Sequence, residues 1–219
     1  TDSILSSITP EMDIVFLCQP NNPTGSSRRC PCGAHPAPVR SLRALLVVDE
    51  CFLDFLPDCD ALTAKALLDS KNLLILKAFT KLYGHGRGAA GVLPVCQHGP
   101  AGSHAAAGQP WAVSSLAQAP GLPHWTKRPM WHRCGHSLRS SGPGSRPGCG
   151  HWACGYWTDE QNYLLFQGPE TLGDALRQRG VVLRSCSNYP GLDGSWYRTS
   201  VRTGPENDEL LKTLAEVLA

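Results

Sequence analysis

The sequence predicts an α/β fold, a parallel-type sheet with helices followed by a small C-terminal α/β domain. Three observations predict it. Apolar runs of strand length recur at Ile14–Cys18, Leu45–Asp49 and 72–76, each bounded by polar or turn-forming residues. A stretch with helical spacing, 61–70 (Leu62, Ala66, Leu67), falls between the second and third runs. Asn22, Asp49 and Lys81 each sit at or just past the end of one run, where open parallel sheets collect their chemistry.

The elements follow in order. Ile14–Cys18 reads as a buried strand, and QPNNPTG (19–25) after it is a turn whose prolines, asparagines and glycine fix or permit unusual backbone angles. Residues 26–43 form a connector heavy in Arg, Pro and Cys. Leu45–Asp49 is a second buried strand, carrying Asp49 at its carboxyl end. The run at 72–76 is too brief for a helix and delivers Lys81 just beyond its end. In the C-terminal part, NYLLF (162–166) is strand-like. Residues 170–179 read as a helix with Leu172, Ala175 and Leu176 on one face, stopped by Gly180. Strands at 181–183 and 196–201 and an amphipathic helix at 206–218 complete the small domain.

With 219 residues, 42% apolar, the chain can build one large core or two small ones. A formal net charge of +2 is too small to argue for a nucleic-acid partner. No apolar run reaches the roughly 20 residues that span a bilayer, and the first residues lack a basic, then apolar, leader pattern, so the expectation is a cytoplasmic protein without membrane association. The ten cysteines are too scattered for a secreted disulfide framework. Cys30, Cys32 and His35, and Cys134, His136, Cys149, His151 and Cys154, resemble metal ligands by type but form no C-x-x-C pair, so no metal is expected. GHGRGAAG (84–91) follows no strand directly and is not a dinucleotide fingerprint.

Residues 84–158 differ from the rest. They hold no Asp or Glu but 14 of the 22 Gly, 7 of the 8 His and 5 of the 6 Trp, whereas protein surfaces mix both charge signs.

An amide, a carboxylate and an amine at neighbouring strand ends suit pyridoxal phosphate (PLP). A carboxylate keeps the pyridine nitrogen protonated, a lysine carries the aldehyde as a Schiff base, and an amide hydrogen-bonds the ring's phenolic oxygen. PNNPTG, VVDECFLDF and LKAFTKLYG, in that order and spacing, together with SCSNYPGLDGSWYRTSVRTGPEND, resemble the fold-type-I aminotransferases. Within these they are most similar to the branch of histidinol-phosphate aminotransferase and threonine-phosphate decarboxylase. The resemblance implies that residues 1–104 are the later part of a PLP-binding large domain and 162–219 the small domain. It makes Lys81 the catalytic Schiff-base lysine, Asp49 the partner of the pyridine nitrogen, Asn22 the ring-oxygen contact, and Arg198 the substrate-carboxylate ligand. Thr80 is left to touch the cofactor phosphate, since Ala78 stands where Ser or Thr is common. Asn188 and Tyr189 fall in a loop near the site, and Trp111 and Ser114 are packing residues. Phe52 stands where many aminotransferases have a tyrosine and tilts the reading toward the decarboxylases. The implied substrate is an amino acid bearing a phosphate, histidinol-phosphate-type transamination being expected first and threonine-phosphate decarboxylation second. The implied parent is a homodimer.

Two departures stand out. The family's upstream phosphate loop is not in this sequence, which reads as a C-terminal fragment. The family's arginine about eight residues after the lysine is replaced by Ala89. An out-of-frame middle explains the second departure. Suitable codons for 84–104, read one nucleotide later, yield GMAGVRLGYCLCANTDLLARM, with arginine in the Ala89 slot. The other shifted frame gives 122–159 helical periodicity and ordinary acids, so 105–161 is expected to be a degraded or disordered connecting region. The rival is a Gly/Pro-rich insert. A non-enzymatic remnant is the alternative of another class.

Overall fold

Leucine and β-branched side chains pack well on a pleated surface, and each N-terminal apolar run forms a strand. β1 is Ile14–Cys18, β2 is Leu45–Asp49 and β3 is Leu73–Ala78, paired in parallel in that order. The computed structural model describes residues 6–27, 43–56, 58–82 and 162–218, with a few short stretches between 91 and 157. One of these is β4, Gly91–Val92, antiparallel to β3. The register sets Val15 beside Leu46 and Leu46 beside Leu73. Alternation along each strand then puts Val15, Leu17, Leu46, Val48, Leu73 and Ile75 on one face, where Ala64 and Leu67 close a core.

Two expectations change here. The buried character expected of β1 holds for one face alone: Val15 and Leu17 join the core, whereas Ile14 is 51% and Phe16 72% exposed. A continuous apolar run does not say which of its two faces will be covered. The helical stretch at 61–70 is broken at Thr63 into helix α1, Cys59–Leu62, and a 3-10 turn, Ala64–Leu67, with Ala66 exposed. Thr63 is extended, with φ −68° and ψ 145°; its hydroxyl donates to Glu50 at 2.8 Å and accepts the Lys65 N–H at 3.3 Å. A threonine that finds side-chain partners outside the helix leaves it, and the apolar spacing could not show those partners.

The C-terminal sheet is antiparallel. β5 (Tyr156–Trp157), β6 (Tyr163–Gln167), β7 (Arg184–Ser185) and β8 (Trp196–Ser200) lie in the order β5-β6-β8-β7. Helix α3, Leu172–Arg177, and helix α4, Gly204–Leu218, contribute Leu172, Leu176 and Leu214 to a core with Tyr197 and Leu183. Burying one leucine of this kind contributes about 1.5–3 kcal/mol. The Tyr197 hydroxyl donates toward the Pro169 and Glu170 carbonyls, at 3.0 and 2.8 Å, and so ties β8 to the approach of α3.

Local signals set both helix ends. After α3, the Gly180 N–H bonds the Arg177 carbonyl and the Val181 N–H the Leu176 carbonyl, each at 3.0 Å, with Gly180 at φ 80°. This double closure favours glycine because only glycine enters the left-handed region without cost. It also corrects the strand expected at 181–183: the Val181 N–H serves the helix end, Val181 and Leu183 pack in the core, and pairing begins only at Arg184. Ahead of α4, Glu206 reaches back to Thr203 as in one half of a capping box, accepting its hydroxyl at 2.7 Å and its N–H at 3.2 Å.

The chain divides into two compact units, residues 1–21 with 27–132 and residues 22–26 with 133–219. The second unit thus takes in the Asn22–Ser26 turn, where Gly25 has φ 69°.

Candidate functional site

In the first unit, parallel pairing places the ends of β2 and β3 on one edge of the sheet. β2 finishes on Asp49, and β3 runs into a one-turn helix α2, Phe79–Leu82, that carries Thr80 and Lys81. Asp49 is half-buried: its Oδ1 accepts the Cys51 N–H at 3.0 Å, and its carbonyl accepts the Gln19 N–H at 2.9 Å. The first bond fixes where the carboxylate stands, and the second holds its backbone in the strand edge. Lys81 is exposed, with its Nζ 5.5 Å from the centroid of the Phe52 ring. Thr80 is partly buried on α2. Burial pushes the Cys51 thiol up to about 12, helped by its hydrogen bond to Asp49 and by that carboxylate's charge, while Lys81 pulls the other way. Cys51 thus stands between the Asp49 carboxylate, which raises its pKa, and Lys81, which lowers it.

Beneath the edge lies a network the sequence reading missed. Glu50 is fully buried and accepts the Ala64 N–H at 2.6 Å and the Thr63 hydroxyl at 2.8 Å; Lys77 Nζ stands 3.5 Å away. Lys77 also pairs with Asp54 at 2.7 Å. A buried carboxylate is tolerated only with such partners. The one available signal was the doublet Asp49-Glu50: alternation sends the two side chains to opposite sides, so one of them must turn inward.

The second unit holds Arg198, on β8. The β6–β8 register sets Leu165 opposite Arg198 and Phe166 opposite Tyr197. Tyr197 and Phe166 face the helices, with ring centroids 6.0 Å apart, so Arg198 lies on the other face of the sheet. There its Nη1 donates to Asn22 Oδ1 at 2.6 Å, and its Cζ lies 5.4 Å from the centroid of the Tyr163 ring. β7 adds Arg184 directly opposite Arg198 in the register. Like charges facing each other across a strand pair cost stability, and Arg184 is exposed to solvent. The Arg184 Nη2 donates to Asn188 Oδ1 at 3.3 Å, and Tyr189 is partly buried in the loop that follows. Burial pushes the Cys186 thiol up, while the guanidinium groups of Arg198 and Arg184 pull it down. Arg184 was not singled out by sequence, because antiparallel register is invisible until the strands pair.

Of the predicted set, Asp49, Thr80 and Lys81 fall in the first unit and Asn22 and Arg198 in the second. Ala89, Trp111, Ser114 and the cysteines and histidines weighed as metal ligands lie outside the described residues, as does most of the 84–158 window. Among the described residues no group of three or more His, Cys, Asp or Glu side chains could hold a metal ion. No helix among them is long and apolar enough to cross a membrane.

No protein-family model matches the chain. It is 32% identical over 223 residues to the threonine-phosphate decarboxylase of Salmonella typhimurium, covering 100% of this chain and 61% of that protein. The crystal structure of the histidinol-phosphate aminotransferase from Clostridium acetobutylicum superposes with a TM-score of 0.88 at 20% identity, over 99% of this chain and 66% of that one. The histidinol-phosphate aminotransferase of Sinorhizobium meliloti, solved in complex with pyridoxal-5'-phosphate, gives a TM-score of 0.77 at 21% identity, over 94% and 57%. The chain spans about three-fifths of the length of such relatives, and its fold is a partial version of theirs.

Proposed function

We propose that this chain, a partial relative of the fold-type-I PLP enzymes in the branch of histidinol-phosphate aminotransferase and threonine-phosphate decarboxylase, carries cofactor- and substrate-holding residues for chemistry on a phosphate-bearing amino acid. The observation that carries the reading is the Arg198–Asn22 bond. A guanidinium can only donate, so the amide atom facing it must be the oxygen. The amide NH2 of Asn22 is then turned the other way, as the donor that a phenolic ring oxygen requires. By residue type, Asn22 suits the ring oxygen, Asp49 the pyridine nitrogen, Lys81 the aldehyde and Thr80 the phosphate.

When bound, PLP supplies an electron sink for the bonds at the substrate's α-carbon. The chain's own residues do the rest. Asp49, held by the Cys51 N–H, keeps a negative charge at a fixed point on the sheet edge. Lys81 supplies the nucleophilic amine and is the group that can shuttle a proton at the reacting carbon. Arg198 offers a planar fork that pairs bidentately with a carboxylate or phosphate, and Arg184 opposite adds a second positive charge for a substrate bearing two acids.

Two relatives' activities separate two finer readings. Histidinol-phosphate-type transamination is the first; threonine-phosphate decarboxylation is the second, supported by Phe52, which has no phenol to offer the ring. The test is borohydride reduction of the purified chain with PLP, followed by peptide mapping. Label on Lys81 alone, lost in Lys81→Ala, is the expected result, and label spread over several lysines would overturn the assignment. Release of CO2 from phosphothreonine, set against amino transfer from histidinol phosphate to an oxo acid, separates the two readings. Turnover of neither, with the acid-free window at 84–158, favours the remnant, and the coding DNA across that window decides whether the frame is shifted. A homodimer is proposed for the intact parent, to be read by sedimentation.

A further inference from the structure

We infer that Tyr163 is a positioning residue for Arg198: its ring fixes the plane of the guanidinium that meets the substrate's acid group. The inference deepens the reading above and rests on it for the identity of the anion, while the placement of the guanidinium stands on geometry alone.

The register makes Tyr163 and Arg198 neighbours. Leu165 is opposite Arg198 and Tyr163 opposite Ser200, so Tyr163 is the diagonal partner of Arg198 on the same face of the sheet. At that diagonal spacing an aromatic ring reaches a long side chain. Tyr163 is 4% exposed, so its ring is an anchored surface and not a mobile one. Arg198 Cζ lies 5.4 Å from its centroid, inside the range of about 6 Å at which a cation is drawn to a ring face.

Two contacts then restrain the guanidinium in different ways. The Tyr163 ring sets the tilt of its plane, and Asn22 Oδ1, 2.6 Å from Nη1, sets its rotation within that plane. A free arginine side chain loses rotamer entropy when it is fixed. Restraint before the ligand arrives removes part of that loss from the binding step, which is how preorganisation raises affinity.

The test replaces Tyr163 by Phe and then by mono-, di- and trifluorophenylalanine, a series that keeps ring shape while draining negative charge from its face. Two quantities are read on the purified chain: the Nε–H resonance of Arg198 by NMR, and the affinity for inorganic phosphate followed on that resonance. Tyr163→Phe is expected to keep both within about twofold. Fluorination is expected to move the resonance progressively and to weaken phosphate stepwise, to about fivefold for the trifluoro ring, as a contact of about 1 kcal/mol requires. Tyr163→Leu, if it folds, should lose the ring-current shift outright. An Arg198 resonance that ignores fluorine content overturns the inference, as does an equal loss in Tyr163→Phe and every fluorinated ring, which would assign the effect to the hydroxyl or to packing. A graded resonance without any phosphate binding keeps the placement by Tyr163 and refutes the acid-recognition role of Arg198 instead.

Discussion

The two sheets place charge in opposite ways. In the first unit, Glu50 is buried beneath the parallel strands and is surrounded by donors: the Thr63 hydroxyl, the Ala64 N–H and, at longer range, Lys77. In the second, Arg184 and Arg198 stand opposite each other across β7 and β8 with like charge. The first arrangement satisfies its charge internally and so belongs to the fold. The second is met by neutral amides, Asn188 for Arg184 and Asn22 for Arg198, with no carboxylate paired to either guanidinium among the described residues. A buried charge needs partners to be tolerated at all, whereas like charges opposed on an exposed strand pair cost only a little stability.

The largest expected effect breaks the first arrangement. Glu50→Ala strands Lys77 near Asp54 alone and leaves the Ala64 N–H and Thr63 hydroxyl without their acceptor; removing one partner of a buried pair costs about 3–5 kcal/mol. Urea unfolding would show it as a lowered midpoint at constant slope, and a loss below about 1 kcal/mol would mean the network is dispensable.

Next comes the second arrangement. Arg198→Lys keeps the charge but loses the fork, and phosphate binding is expected to weaken about tenfold, the size of one charge-assisted hydrogen bond. Borohydride labelling of Lys81 should be unaffected, and parallel loss of both would make Arg198 a structural residue.

A pH experiment sharpens the contrast at the sheet edge. The Cys51 thiol is raised from 9.0 to about 12, chiefly by burial. Above pH 9 the unfolded chain gives up this proton while the folded chain keeps it, so stability is fully present below pH 9 and declines as pH rises toward 12. Cys51→Ala should flatten that alkaline decline, and an unchanged slope would assign it to other groups. At pH 8 the same thiol should be alkylated far more slowly than Cys18, which is exposed.

The smallest effect has the opposite sign to the first. Arg184→Thr removes a like charge facing Arg198, and stability is expected to rise by about 0.2–1 kcal/mol while phosphate affinity falls. A simultaneous loss of stability would show that Arg184 is held by contacts stronger than its bond to Asn188.

The sequence alone determined the local grammar of the protein. Strand runs were legible at Ile14–Cys18 and Leu45–Asp49 because apolar length and flanking turn residues act within a few positions. The stop of α3 at Gly180 was legible for the same reason, since a left-handed closure needs glycine wherever it occurs. The positions of Asp49 and Lys81 at one sheet edge followed from strand ends and parallel pairing. Only the tertiary structure decided the rest. Which face of β1 is covered, the break at Thr63, the inward turn of Glu50, and the meeting of Tyr163, Arg184, Asn22 and Arg198 all depend on residues from 13 to 176 positions apart. A one-residue slip in register would send Tyr163 and Arg184 to opposite faces from Arg198. Register is fixed by the packing of whole faces, and no single strand's sequence contains it.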